Sequence, residues 1–455
     1  MKKLSKIKIM KYTNGINEYE EYNPLIDLVV TDSREVKKDC LYVALKGENF
    51  DGHDFIEDAI KMGASLILSE KKYDSKEIIK VENTYLALGE LSKGYLNEFN
   101  IKKIGITGSS GKTTTKDMVY HALSARYETH RTIGNFNNHI GLPLTALSIE
   151  EKDDIAVFEM GMSELWEIDY LCKLTNPHIG IITNIGTAHI ENLKTQENIF
   201  KAKMEISNYM TKKDLLIVNG DDDYLSKLKK EECSFRLIKY GFSENNDLIA
   251  YDYKSDSKNS IFKVKGMDRD LNITLPAIGK HNVLNSLSAI ATCIELGMRD
   301  EEIQKGLAGF KPSKHRIDIR EINGIKIIND SYNANPESIS AVLDSFKDYG
   351  EGRKVAILGD MLELGDISEI KHREIGEKAI KESDICIFIG NEMKYAKEAA
   401  LSSLDTGKII YHFIDKNLAI NEIKGIIKYG DIILIKGSRG MNLDKVAEYL
   451  IDSKK

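Results

Sequence analysis

Ile104-Gly105-Ile106-Thr107-Gly108-Ser109-Ser110-Gly111-Lys112-Thr113-Thr114-Thr115-Lys116 reads as a phosphate cradle before any fold is assumed. Its glycines let the backbone turn tightly and bring N–H groups to an anion. Lys112 adds a point charge, Thr113 offers a hydroxyl to Mg²⁺, and a helix starting there presents its positive end. Five residues, rather than the usual four, separate Gly105 from Gly111, so the run is G-x-T-G-x-x-G-K-T. The strand-like entry "KIGIT" and the helix-like exit "TKDMVYHALSARY" give it a strand-to-helix setting. A nucleoside triphosphate held by Gly108, Ser109, Ser110, Gly111, Lys112, Thr113 and Thr114 is the expected ligand.

Downstream, "RTIGNFNNHIGLPLTAL" clusters Asn135, Asn137, Asn138 and His139 ahead of an apolar helix start. "DDIAVFEMGMSE" is a buried-looking strand ending in Glu159, where a second Mg²⁺ contact is usually placed; the plain alternative is a strand-end charge. "HIGIITNIGTAHIE" is a further apolar strand of the kind a parallel sheet buries on both faces, and it delivers Asn184 and His189 to the same edge. "ENIFKAKMEISNYM" puts Lys201, Lys203 and Glu205 on a helix, where a lysine is ordinarily a solvated charge. Alternating residues between Lys239 and Leu275 predict a strand-rich insertion. "GKHNVLNSLSAIATCIELG" then reads as a helix opening on Gly279-Lys280-His281-Asn282.

Upstream, short strands and one or two helices carry Asp32-Ser33-Arg34, Lys46-Gly47 and Asp51-Gly52-His53 in loops. These loops suit phosphates and sugar hydroxyls, and equally suit solvated turns. Past Phe310 a third βα alternation predicts a second open α/β sheet. Asp330, Tyr332, Asn333, Asn335 and Pro336 sit at one of its strand-to-helix loops; Lys436, Gly437, Ser438 and Arg439 sit at another.

A chain of 455 residues suggests about three domains. A formal charge of −7 argues against a general nucleic-acid or membrane-surface binder while leaving small anions in play. The five dispersed cysteines predict reduced thiols in a cytoplasmic protein. The charged start "MKKLSKIKIMKY" is no secretion signal, and no run of about 18 apolar residues suggests a membrane span.

Together these motifs resemble the ATP-dependent Mur ligases of peptidoglycan synthesis. "TDSR" with "LKGENFDGHDFI", "GITGSSGKTTTKD", "FEMGMSE", "TNIGTAHIE", "GKHNVLNSLSA", "NDSYNANPESISA", "LGDMLELG" and "IKGSRGMNLD" stand in family order over nearly the whole length. The resemblance implies an α/β fold of three domains. A small substrate domain would span 1–99, a central P-loop-type ATPase domain with a mostly parallel sheet 100–311, and a Rossmann-like ligase domain 312–455. It also implies ATP and Mg²⁺. Lys112 and Thr113 would bind the β/γ-phosphates and Mg²⁺, with Glu159 as a further ligand. His189 would help hold a second Mg²⁺, supported by Lys203 if carbamylated; catalysis would rest on Lys112, Glu159, His189 and Lys203.

Asn282, Asp330 and Asn333 would meet adenine and ribose, and Arg316 the phosphates. Ser33, Arg34, Lys46, Asp51, Gly52 and His53 would handle the uridine diphosphate end of the muramoyl substrate, with Asn135, Asn138, Asn335, Lys436 and Arg439 along the rest of the substrate path. The closest branch joins D-alanyl-D-alanine to UDP-MurNAc-tripeptide, and a monomer is expected. Two departures stand out: Met204 replaces a common glycine, and "SKHRIDIRE" differs around Arg316. Alternatives are the ligase that adds the third residue, a folylpolyglutamate-type synthetase, or a P-loop switch or motor.

Overall fold

Side chains that alternate between two buried faces define the first sheet. Cys40–Val43 and Leu66–Ser69 are buried throughout. With Leu28–Val30 and Ile78–Lys80 they form a four-stranded sheet, all parallel and in chain order. Leu41 and Val43 join one apolar cluster with Leu88 and Leu91, whereas Cys40 and Tyr42 join another with Ile56 and Ala59. The helices Ile56–Met62 and Thr84–Leu96 supply those two covers, as a parallel sheet requires. The computed structural model describes residues 1–312, 317–403 and 407–452, so Arg316 lies outside the described residues.

The central sheet has nine strands. Lys102–Thr107 lies inside it, flanked by Ile155–Glu159 and Ile179–Ile182, both parallel to it. The chain leaves Lys102–Thr107 toward one edge, returns beside it, and then crosses to its other side. This makes the carboxyl end of that strand a topological switch point, where open parallel sheets open a crevice. Ile104 and Ile106 pack against Met118, Val119, Val283 and Leu287 on one face, while Ala156, Phe158 and Ile182 face the opposite cluster. The strands expected as an insertion extend this sheet instead. Tyr240 and Gly241 pair in parallel with Leu248 and Ile249, after which Ser260–Gly266 and Arg269–Leu275 continue as an antiparallel meander.

The third sheet runs Asp318–Ile322, Ile325–Asn329, Ile432–Lys436, Lys354–Gly359, Ile385–Ile389, Ile409–Phe413, and only its first pair is antiparallel. Its strand ends deliver "NDSYNANPES", "LGDMLELG" and "KGSRG" to one edge. The helix Pro336–Asp344 starts there because Asn335 accepts from Ser338 N at 2.9 Å and Pro336 presets the first turn. This edge faces the switch point of the central sheet: Asn335 Nδ2 donates to Ser109 O at 3.2 Å, and Glu337 Oε1 accepts from Thr187 N at 2.7 Å.

Asp431 is buried, and its carboxylate is held by the Arg353 guanidinium through two contacts of 2.8 Å. This pair joins the starts of two adjacent parallel strands. Removing the cation strands a buried carboxylate, so Arg353→Ala is expected to destabilise the C-terminal domain by about 3 kcal/mol. Urea unfolding checks this, and an unchanged midpoint refutes it.

Candidate active site

The phosphate loop closes the strand Lys102–Thr107 and opens the helix Lys112–Leu123. Gly108 has φ 152°, and a Cβ there would stand 1.8 Å from Thr183 Oγ1; Gly111 has φ 78°, and a Cβ there would stand 2.7 Å from Asn285 Oδ1. Only glycine fits at either point. The next strand's loop holds this one in shape. Ser110 N donates to Asn184 Oδ1 at 3.0 Å, Asn184 Nδ2 donates to Ser110 Oγ at 2.9 Å, and Gly186 N donates to Ser109 Oγ at 2.8 Å. Lys112 folds back over the loop, its ammonium donating to Gly108 O at 2.6 Å.

Glu159 ends its strand buried beside the loop. Its Oε1 accepts from Thr113 Oγ1 at 3.1 Å and from Asn137 Nδ2 at 2.9 Å, and Thr132 Oγ1 accepts from Glu159 N at 3.0 Å. Its Oε2 has no hydrogen-bond partner, and the Lys116 ammonium stands 3.8 Å away. A buried carboxylate oxygen in that state, next to a threonine hydroxyl at a phosphate loop, fits a Mg²⁺ donor set. Among the described residues no group of three or more His, Cys, Asp or Glu side chains forms a self-sufficient metal cage. Mg²⁺ is commonly bound through one or two carboxylates together with substrate phosphates.

Lys203 lies on the helix Gln196–Met204, which Thr195 caps by accepting from Asn198 N at 3.1 Å. It is 1% exposed, so it is not the solvated charge that a helical lysine usually is. Burial and the nearby Lys112 cation hold its ammonium well below the usual lysine range. His189 follows the strand Ile179–Ile182, with Glu363 Oε2 2.6 Å from its Nδ1. The imidazole draws the Glu363 carboxyl below its ordinary range.

A cleft of about 700 Å³ joins most of these groups, with Lys203 and Glu363 outside its lining. Lys112, Thr113, Glu159 and His189 lie on it with Asn135 and Asn138, and the third sheet contributes Asn333 and Arg439. Asn138 also caps the helix Gly141–Leu147 by accepting from Gly141 N at 2.9 Å. The Arg439 guanidinium lies over the Tyr332 ring, 5.5 Å from its centroid. A smaller cavity of about 110 Å³ between the second and third sheets is lined by Ser110, Gly111, Thr114, Asn282, Asp330 and Lys436, among others.

Several expected residues take other positions. Lys436 is buried against Asp330 Oδ2 at 2.5 Å and Asn333 O at 3.1 Å, so it holds the Asp330–Asn333 loop on the nucleotide side and does not line the large cleft. Asn335 is spent on its helix cap and on Ser109. None of the six amino-terminal residues lines the cleft. Ser33 and Arg34 form a turn capped by Asp32, and the Arg34 guanidinium is paired with that carboxylate. Asp51 accepts from His53 N at 3.0 Å and contacts His53 Nδ1 at 2.6 Å, which holds its carboxyl down at about 2, while Glu70 N donates to His53 Nε2 at 3.0 Å. At Gly52 a Cβ would stand 2.6 Å from Leu45 O. Lys46 reaches the cleft only through its carbonyl, which accepts from Tyr85 OH at 2.8 Å.

Residues not singled out from the sequence complete the site. Thr132 orients Glu159, and Asn137 binds it, although it was visible only as one of a polar cluster. Glu337 and Glu363 lie in motifs already quoted, but nothing in their spacing marks them as cross-domain contacts. Trp166, the chain's single tryptophan, is 69% exposed on the cleft wall at φ 73°. Its N–H donates to the buried Glu205 Oε1 at 2.7 Å.

Comparison with known proteins sorts this arrangement by class. The chain matches the Mur ligase family catalytic domain over residues 25–95, the Mur ligase middle domain over 106–293, and the Mur ligase glutamate ligase domain over 315–439. It belongs to the Mur ligase family. Within that family it is 38% identical to UDP-N-acetylmuramoyl-tripeptide–D-alanyl-D-alanine ligase of Bacillus subtilis, over 98% of this chain and 97% of the relative. A crystal structure of MurF from Acinetobacter baumannii superposes with a TM-score of 0.92 at 30% identity, covering 99% of both chains. MurF ligase from Thermotoga maritima in complex with ADP superposes at 0.84, also at 30% identity, over 93% of this chain and 97% of that one.

His281 lines the smaller cavity, and burial pushes its imidazole from an ordinary 6.5 down to about 4, with Asp330 opposing the shift. The unfolded chain therefore takes up this proton first. The stability conferred by the neutral ring is complete above pH 6.5 and is lost as pH falls toward about 4. His281→Gln is expected to flatten the fall of the thermal midpoint across that window; an unchanged slope refutes it.

Proposed function

We propose that this chain is an ATP-dependent carboxylate–amine ligase that joins D-alanyl-D-alanine to UDP-MurNAc-tripeptide. The observation that carries the reading is a phosphate loop opening onto a cleft lined by the amino-terminal helix Thr84–Leu96, the central sheet's strand ends and the loops of the third sheet, in a chain that matches ligases of this name along nearly its full length. The amino-terminal, central and carboxy-terminal sheets serve as substrate, ATPase and ligase domains. The five cysteines are free thiols, the pattern of a reducing cytoplasm.

A carboxylate and an amine do not condense in water, so the carboxylate first needs a leaving group. The terminal carboxylate of the tripeptide attacks the γ-phosphorus of ATP, the bond to ADP breaks, and an acyl phosphate forms. The neutral amine of D-alanyl-D-alanine then attacks the acyl carbon, phosphate departs, and the nitrogen loses a proton. The protein's part is positioning and charge neutralisation. The Gly108 and Gly111 amides and the Lys112 ammonium hold the triphosphate, while the Ser109 and Ser110 amides are taken by Asn184. Thr113 and Glu159 would hold a Mg²⁺, with His189 and Lys203 at a second. When bound, the cation offsets the charge that builds as two anions meet. Docking of the third sheet on the phosphate loop shields the acyl phosphate from water.

The Lys203 amine is suited to carbamylation because only an unprotonated amine attacks CO₂; a new N–C bond forms and a proton leaves. The carbamate would then supply an anion beside Lys112 where the free amine has none. With ¹³CO₂ the wild type is expected to show a carbamate carbon resonance that Lys203→Arg lacks. The same resonance in both proteins would sink the assignment.

Phosphate release from ATP should require both UDP-MurNAc-tripeptide and D-alanyl-D-alanine, with a product heavier by one dipeptide residue unit. Release without the dipeptide refutes the ligase reading. Lys112→Ala should abolish release and leave the thermal midpoint in place. The single tryptophan gives a direct binding signal: UDP-MurNAc-tripeptide is expected to shift Trp166 emission to the blue and protect it from iodide, and an unmoved spectrum at saturation argues against a cleft-bound peptide.

A further inference from the structure

His189 meets its partner across a domain boundary. It ends the loop after Ile179–Ile182 in the left-handed region at φ 64°, and Glu363, from the loop after Lys354–Gly359 in the third sheet, also stands at φ 64°. A non-glycine residue in that region is strained and persists where its surroundings hold it. The His189 carbonyl opens the short helix Ile190–Leu193 by accepting from Leu193 N at 3.1 Å, and Glu363 meets its side chain. Glu363 Oε2 lies 2.6 Å from His189 Nδ1, approaching off the ring N–H direction, and Glu363 O accepts from Glu191 N at 3.1 Å. The Glu363 side chain is 60% exposed, so core packing does not explain its conformation.

We propose that Glu363 is a positioning residue for His189, and that through it the binding of a divalent cation in the cleft is coupled to docking of the C-terminal domain. This rests on the reading of His189 as a metal ligand. An imidazole gives a cation one nitrogen and must place the proton of the other. A carboxylate charge 2.6 Å from Nδ1 favours a proton on that nitrogen electrostatically, which leaves the lone pair on Nε2 and makes it a better donor. Glu363 arrives only with the third sheet, so the ring is set for the cation only when that sheet is docked. The coupling is reciprocal: whatever docking adds to cation affinity, the cation adds to docking. A mere docking ion pair would hold the domains together without changing cation affinity.

The test uses Mn²⁺ as the probe, in the presence of ADP, with free Mn²⁺ counted by electron paramagnetic resonance. The full-length wild type is compared with Glu363→Ala, Glu363→Gln, His189→Ala and the His189→Ala/Glu363→Ala double variant. Glu363→Ala is expected to weaken Mn²⁺ binding about ten- to a hundredfold. Glu363→Gln should lose less, because its amide oxygen can still stand against Nδ1 as a partial negative charge, and the double variant should bind no more weakly than His189→Ala alone. Small-angle scattering should show Mn²⁺ with ADP compacting the wild type but not Glu363→Ala. Wild-type Mn²⁺ affinity in Glu363→Ala, an equal loss with and without His189, or equal compaction overturns the inference. Mn²⁺ binding indifferent to His189→Ala overturns the metal reading and the inference with it. None of these measurements includes the amine acceptor, so a wild type that binds Mn²⁺ as expected yet fails to ligate refutes the proposed reaction alone.

Discussion

Burial of charge beneath the phosphate loop is the constraint to which the rest of the site answers. Lys116 and Asp117 are each 1% exposed, and Glu159 is 2% exposed. Ions taken out of water must find partners or change protonation state. Lys116 lies 3.4 Å from Asp117 and 3.8 Å from Glu159, and Asp117 is in turn held by Arg131 at 2.7 Å. The Arg131 guanidinium rests 3.9 Å over the Tyr120 ring. Two cations and two carboxylates thus form a chain from the underside of the loop to the protein edge. This chain fixes the helix Lys112–Leu123 from beneath the loop.

Lys203 stands outside that balance. It is as deeply buried as Lys116, but burial and the Lys112 cation both hold its ammonium below the usual lysine range. A lysine and a carboxylate would have been simpler to bury together. An amine whose proton is held weakly, close to a phosphate loop and away from water, is open to the chemistry proposed for it.

The sequence made legible whatever depends on local pattern. Strand and helix around the phosphate loop follow from apolar periodicity, and Gly108 and Gly111 from the turn they must make. Glu159 and His189 could be placed because parallel strands deliver their ends to one edge. Failures came where distant segments meet. Lys436 looked like a free cation in a loop, yet a partner 106 residues away claims it. Asp51 and His53 resembled ligand donors but satisfy each other, as polar residues at tight turns often do. The strand-rich stretch after Lys239 forms as expected, and two backbone pairings with Leu248 and Ile249 join it to the central sheet.

Glu205 gives the cleft wall a mechanical property. One carboxylate oxygen grips Trp166 N at 2.7 Å and the other grips Asp169 N at 3.1 Å, while its own backbone follows directly from the helix that carries Lys203. The indole on the surface and the amine in the interior are therefore joined by a short, stiff strut. A displacement of that helix by the breadth of a small group at Lys203 would tilt the aromatic wall as well, so an event in the dry interior alters the shape offered to whatever enters from solvent.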